Sequence, residues 1–264
     1  MRQIGINFNA MAGLSAEEYA ARAKALGFDT IFSGTKKTLE EQVKLANIFA
    51  SNGLIYENLH APFGHINDMW LEGEDGDRML DDLLFSVDAC VAAGAPISVI
   101  HLSSGENAPS ITDIGRGRYD KLINYAASKN ITLAFENQRK IGNIGWVFDE
   151  YADFDTVRFC WDCGHEACFT MGREYMTLFG KKLVCTHIHD NSTVYNKDQH
   201  MIPFDGKIDF DRFAEHIRNS GYTGPLTLEI LARSSDLYVD MNIDDYLQKA
   251  AAAIKKLRVM VDGE

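Results

Sequence analysis

The sequence has no run of about 20 apolar residues, so it offers no segment that would cross a bilayer as a helix. Its opening residues, Met1-Arg2-Gln3-Ile4-Gly5-Ile6-Asn7, follow an alternating strand-like pattern and lack the apolar core of an export signal. No membrane association is expected. The five cysteines are scattered, which excludes a dense disulfide framework and suits free thiols in a reducing compartment. The expected location is therefore cytoplasmic. There is no basic run, and 26 Lys and Arg against 38 Asp and Glu leave a formal net charge of −12. Such a surface repels phosphate backbones, which argues against a nucleic-acid partner unless bound cations supply a local positive field. Nor is there a Pro-, Gly- or Ser-rich linker or a shift in composition, so a single domain over residues 1–264 is expected.

What the chain does have is rhythm. Short β-rich runs near 3–8, 29–33, 56–61, 97–102, 131–136, 157–162, 183–189 and 225–230 alternate with helical patterns. The helices fall near 15–26, 38–52, 77–93, 117–129, 146–152, 173–179, 209–219 and 243–260. Eight of each is the count that closes a (β/α)₈ TIM barrel of the α/β class. Capping boxes at Ser15-Ala-Glu-Glu18, Thr38-Leu-Glu-Glu41 and Asn242-Ile-Asp-Asp245 mark helix starts. Gly27, Gly53, Gly94, Gly180 and Gly221 stand where helices should stop, as residues able to adopt the left-handed conformation. Leu80, Leu83, Leu84, Val87 and Val91 should face the barrel from one helix. Ile243, Leu247, Ala250, Ala251 and Ile254 should do so from the last.

Catalytic groups in such barrels project from the C-terminal ends of strands. Here those ends carry His60, His101, Glu136, Asp162 with His165, His187 with His189, and Glu229, in six successive strands. Buried histidines and carboxylates are costly unless paired or bound to metal, so their recurrence at one rim points to a shared polar centre. Alternation places His187 and His189 on the same strand face. His216 falls within a helix and reads as a packing or surface residue. Carboxylate and imidazole donors suit Mn²⁺, Mg²⁺, Co²⁺ or Zn²⁺.

These segments resemble the xylose isomerase-like barrel superfamily of sugar-phosphate isomerases and epimerases, related to apurinic endonuclease IV. The resemblance spans essentially the whole chain. Its most specific pieces are Trp161-Asp162-Cys163-Gly164-His165, similar to the family's Asp-x-Gly-His, and His187-Ile-His-Asp190-Asn191 followed by the stretch from Asp198-Gln-His200 to Asp209. The resemblance implies one divalent cation held by Glu136, Asp162, His187 and Glu229. His187 is favoured over His189 because the family's ligand stands three positions before the acidic residue, here Asp190. It implies proton transfer next to a carbonyl, with Glu136 and Glu229 on opposite sides of the reacting carbon, and a small-molecule carbohydrate as substrate. His60, His101, His165, His189, Asp198 and His200 are left as substrate contacts or ligands of further metal ions. Family members are often dimers or tetramers, which leaves a homo-oligomer open.

Other readings stand beside this one. An endonuclease IV-like phosphodiester hydrolase would use the same histidines and carboxylates for a metal cluster. Against it, Glu136-Asn137-Gln138-Arg139-Lys140 departs from the Glu-Asn-Thr-Ala-Gly usual in those enzymes, and Asp190-Asn191-Ser192 departs from their Asp-Ser-Lys. A binding barrel without turnover is the third reading. Cys160 and Cys163 read as packing thiols, and Glu136 and Glu229 have an alternative as ion-paired structural carboxylates. Gly64–Trp70 is open as an aromatic lid or a packed loop, and Asn7 and Asn9 as sugar contacts or turn residues.

Overall fold

The computed structural model describes residues 1–8, 13–232 and 235–263. Eight strands form one parallel sheet: β1 (Ile4–Asn7), β2 (Thr30–Gly34), β3 (Ile55–His60), β4 (Ile97–Ile100), β5 (Thr132–Glu136), β6 (Val157–Asp162), β7 (Leu183–His187) and β8 (Leu226–Leu228). Their order is β7-β6-β5-β4-β3-β2-β1-β8. The ends of that order are themselves joined: Ile188 N–H donates to Thr227 O at 2.9 Å and Glu229 N–H to Ile188 O at 3.0 Å. This is the (β/α)₈ TIM barrel expected from the alternation. Among the described residues the α-helices are α1 (Ala16–Ala25), α2 (Leu39–Ser51), α3 (Glu74–Ala93), α4 (Asp113–Ser128), α5 (Ile141–Glu150), α6 (Cys163–Phe169), α7 (Tyr175–Phe179), α8 (Phe210–Ser220) and α9 (Ile243–Asp262). None is long and apolar enough to cross a membrane.

Two compact units divide the chain. One comprises Met1–Phe32, Asn47–Tyr56 and Trp161–Glu264, the other Ser33–Ala46 and Glu57–Cys160. In the first, β1 pairs with β2 (Ile6 with Ile31) and with β8 (Ile6 with Leu228). The Asn7 side chain continues this pairing where the strands stop. Its Nδ2 donates to Ile230 O at 3.1 Å and its Oδ1 accepts from Ile230 N at 3.0 Å. Of the two roles open to Asn7, the structural one is what the structure shows; Asn9 lies outside the described residues. Leu247, Ala250, Ala251 and Ile254 are buried on α9 as its periodicity required, while Ile243, in the first turn, is only half-buried.

In the second unit, β3 to β6 pair in parallel, with Glu136 opposite Cys160. The loop after β3 is packed down. It turns through a 3₁₀ helix at Ile66–Trp70 whose Ile66, Met69 and Trp70 are buried. Trp70 Nε1 donates to Leu102 O at 2.6 Å, and its ring lies 4.9 Å from that of Tyr119. Gly115 is required beneath it, since a Cβ there would sit 2.2 Å from the indole. The buried guanidinium of Arg118 then donates to the carbonyls of Asp68, Met69, Leu71 and Gly73 and to Asp77. A loop held by so many bonds is a wall, and the lid reading is dropped for it.

All three caps form, the first of them as a full box. Ser15 and Glu18 complete a capping box, Thr38 Oγ1 accepts from Glu41 N, and Asn242 Oδ1 accepts from Asp245 N. Gly27, Gly53, Gly94 and Gly221 take positive φ, but Gly180 does not: its φ is −56°. There the chain passes straight into a 3₁₀ turn at Gly180–Lys182, so no left-handed stop is needed. Val91 departs from its expected face as well. It is 49% exposed, and Cys90 is buried in its place as α3 reaches its end.

Candidate functional site

β3, β5, β6 and β7 end on His60, Glu136, Asp162 and His187, and β4 and β8 are followed at once by His101 and Glu229. In the second unit, Glu136 is 1% exposed, and its Oε2 lies 3.1 Å from His60 Nε2 and 2.7 Å from His101 Nε2. The other nitrogen of His60, Nδ1, is 2.8 Å from the carbonyl of Ala61. A carbonyl only accepts, so Nδ1 carries the proton and Nε2 faces the carboxylate. That contact is favourable only with a second proton on the ring or a cation between nitrogen and oxygen. Gln138 brings its amide nitrogen within 3.3 Å of His101 Nε2, and Phe63, 45% exposed, stacks on the His101 ring at 4.4 Å.

The first unit holds a second gathering of the same donor types. Asp162 is both the last residue of β6 and the N-cap of α6, accepting from His165 N at 2.6 Å. Its carboxylate lies 3.1 Å from His189 Nε2 and 3.6 Å from His165 Nδ1. Asp198 stands 3.4 Å from His165, 3.5 Å from His189 and 3.2 Å from His200. His200 repeats the arrangement of His60: Nδ1 donates to Glu229 O at 2.9 Å, leaving Nε2 toward the Asp198 carboxylate. The His189 ring stacks on His200 at 4.0 Å. It fits because Gly164 has no Cβ, which would stand 1.9 Å from it. His187 is fully buried, stacked on Phe32 at 4.7 Å, with Nδ1 3.4 Å from Glu229 Oε2.

The electrostatics follow from this crowding. Burial alone would raise the Asp198 carboxyl, but hydrogen bonds and charge from His165 and His200 override it and hold it far below the usual carboxylate range. Burial would lower His200, yet Asp198, then Glu229 and Asp162, push it up to about 9. Cys163 is driven well above the usual thiol value, first by burial and then by Asp162. All five cysteines are buried and none is joined in a disulfide, so Cys160 and Cys163 do not form a redox pair here.

A divalent cation fits these donors. Imidazole and carboxylate atoms of His60, His101 and Glu136 lie within 4.8 Å of one another, and so do those of His165, His189, Asp198 and His200. Nε2 of His189 and Oδ1 of Asp198 are buried and make no hydrogen bond, as cation-facing atoms would. Both clusters consist of borderline-hard donors, and in each a backbone carbonyl fixes one tautomer from behind, that of His60 in one and of His200 in the other. Sequence reasoning passed over Gln138, noted only as a departure from a motif, and Phe63, an apolar residue with no periodic context. It also passed over α6, because seven residues are too few to show helical period. His216 is on α8, edge-on to Trp161 at 5.8 Å, a packing residue.

Comparison with known proteins agrees with the architecture. Residues 20–257 match the profile of the family described as xylose isomerase-like TIM barrel. An uncharacterized protein of Sinorhizobium fredii is 29% identical over 244 residues, 84% of this chain and 76% of that protein. Among solved structures, the 3-keto-D-glucoside 4-epimerase of E. coli superposes with a TM-score of 0.75 at 17% identity, covering 98% of this chain and 100% of that one. A D-psicose 3-epimerase from Clostridium cellulolyticum gives 0.74 at 14% identity, with 99% of both chains covered. At such identities the likeness is one of fold.

Proposed function

The chain belongs to the xylose isomerase-like TIM barrel family, and from that premise we propose that it is a divalent-metal-dependent isomerase or epimerase of a small carbohydrate, acting as a single domain over residues 1–264. The observation that carries this reading is the pair of strand-end glutamates, Glu136 at the end of β5 and Glu229 just after β8, each set against imidazoles. Two superposable barrels are by name sugar epimerases. Glu136, Asp162, His187 and Glu229 are the residues we assign to hold the ion. They lie at or just past the ends of four strands successive in the chain, β5 to β8, and bring carboxylate and imidazole donors. When bound, Mn²⁺, Mg²⁺, Co²⁺ or Zn²⁺ supplies Lewis acidity that stabilises negative charge on oxygens next to the reacting carbon.

The chain's own residues do the rest. One glutamate takes the proton from the carbon beside the carbonyl and the other delivers a proton to it or its neighbour. A carboxylate that binds through one oxygen keeps the second free for this transfer. Histidines behind the glutamates fix their orientation. The test is exchange of carbon-bound protons from a panel of ketoses in heavy water. We expect exchange in the wild type and a loss of at least about 100-fold in Glu136→Gln and Glu229→Gln variants whose folding is intact. Full exchange in both variants would remove the acid and base assignments.

A second reading is favoured by a separate observation. The clusters of His60, His101 and Glu136, and of His165, Asp198 and His200, have the donors for further ions, as a multi-metal phosphodiester hydrolase requires. Metal content per chain separates one ion from three. Cleavage of an abasic-site duplex without ketose exchange would select the hydrolase.

A further inference from the structure

The segment from Ile188 to Asp209, between β7 and α8, has no helix or strand of its own, yet it carries Asp198 and His200. Its backbone is unusual. Five non-glycine residues among those described have positive φ, and four are here: Thr193 (55°), Asn196 (61°), His200 (41°) and Phe204 (76°). Such conformations persist only where the surroundings impose them.

The segment is gathered around the buried carboxylate of Asp190, which bonds directly to one of the four, Phe204. Its Oδ1 accepts from Asn191 N at 2.8 Å and Ile208 N at 3.0 Å, and its Oδ2 accepts from Phe204 N at 3.0 Å and Gly206 N at 2.8 Å. Its own backbone exchanges two hydrogen bonds of 2.8 Å with Met201, just past His200. The side chain thus ties the start of the segment to its end, with Asp198 and His200 between. Gly206 is part of the clasp, because a Cβ there would lie 2.3 Å from Asp190 Oδ1. Tyr238 backs it from outside, accepting from Ile202 N at 2.9 Å and donating to Asp205 at 2.7 Å.

We propose that Asp190 is a positioning residue whose carboxylate, by gathering four backbone N–H groups, holds Asp198 and His200 against His165 and His189 in a cation-binding arrangement. The chemistry requires an acid at this place. All four partners are donors, so both side-chain oxygens must accept, and an amide would turn an NH₂ group against two N–H groups. The inference rests on the metal-dependent reading given above, and its test is separable from that reading.

The experiment compares wild type with Asp190→Asn by amide hydrogen exchange and by cobalt titration followed in the visible spectrum. We expect the variant to lose protection by at least about tenfold at Met201, Phe204, Gly206 and Ile208, with the strands unchanged. We expect it also to bind one equivalent of cobalt about 10–100-fold more weakly, with an altered absorption band. Should Asp190→Asn fail to fold, Gly206→Ala disturbs the same clasp and is judged by the same two readouts. Unchanged protection, or lost protection with wild-type cobalt binding and spectrum, would overturn the proposal, as would a wild type that takes up no cobalt. Absence of ketose exchange in a wild type that binds cobalt would refute the isomerase reading alone.

Discussion

At Gly164 a missing methyl group decides where a histidine stands. The His189 ring occupies the volume a side chain would need, and from there it reaches Asp162 and Asp198. Gly164→Ala should destabilise the chain by about 1–3 kcal/mol, the usual cost of forcing a methyl into a packed site. It should also shift the His189 ring resonances in NMR while leaving those of His60 in place. Normal stability together with unmoved His189 signals would show that the ring has room to spare. The glycine was visible in the sequence as part of Trp161-Asp-Cys-Gly-His165, but its reason was not. It depends on a residue 25 positions further on, which no local pattern encodes. Asp190 was visible only as a landmark for His187, and the four N–H groups that give it work come from residues 191–208.

Among elements, α4 organises the loop before α3 through one buried guanidinium. Arg118→Lys keeps the charge but loses the planar fork that reaches four carbonyls, and we expect it to cost about 2–4 kcal/mol in denaturant unfolding. The loss should fall on the 66–73 loop, read as faster amide exchange there. A variant within about 0.5 kcal/mol of wild type would show that the fork is dispensable. The strands and the capped helices were legible because period and capping are local properties: Ser15, Thr38 and Asn242 each find a partner three residues on. What escaped was long-range. Nothing near Arg118 in sequence announces that the carbonyls it binds lie 45 to 50 residues earlier. The helix α6 escaped because its N-cap, Asp162, was already read as a strand end.

For the whole molecule, a bound ion and the fold should stabilise one another. Chelation should lower the thermal midpoint and re-addition of Mn²⁺ or Co²⁺ should restore it. Free ion at 100 times its dissociation constant contributes about 2.7 kcal/mol per independent site. A midpoint indifferent to chelator, in protein shown to have lost its metal, would separate folding from metal binding. At this scale the eightfold alternation told the architecture, while the segment that carries Asp198 and His200 takes its shape from contacts that no periodic pattern encodes. The bonding of Asn7 to Ile230, across a separation of 223 residues, has a temporal consequence. On a ribosome adding about 5–20 residues per second, the first strand would emerge tens of seconds before the partner that completes its far side. In that interval the nascent chain presents a bare flank to its neighbours, and a holding chaperone would find its target there.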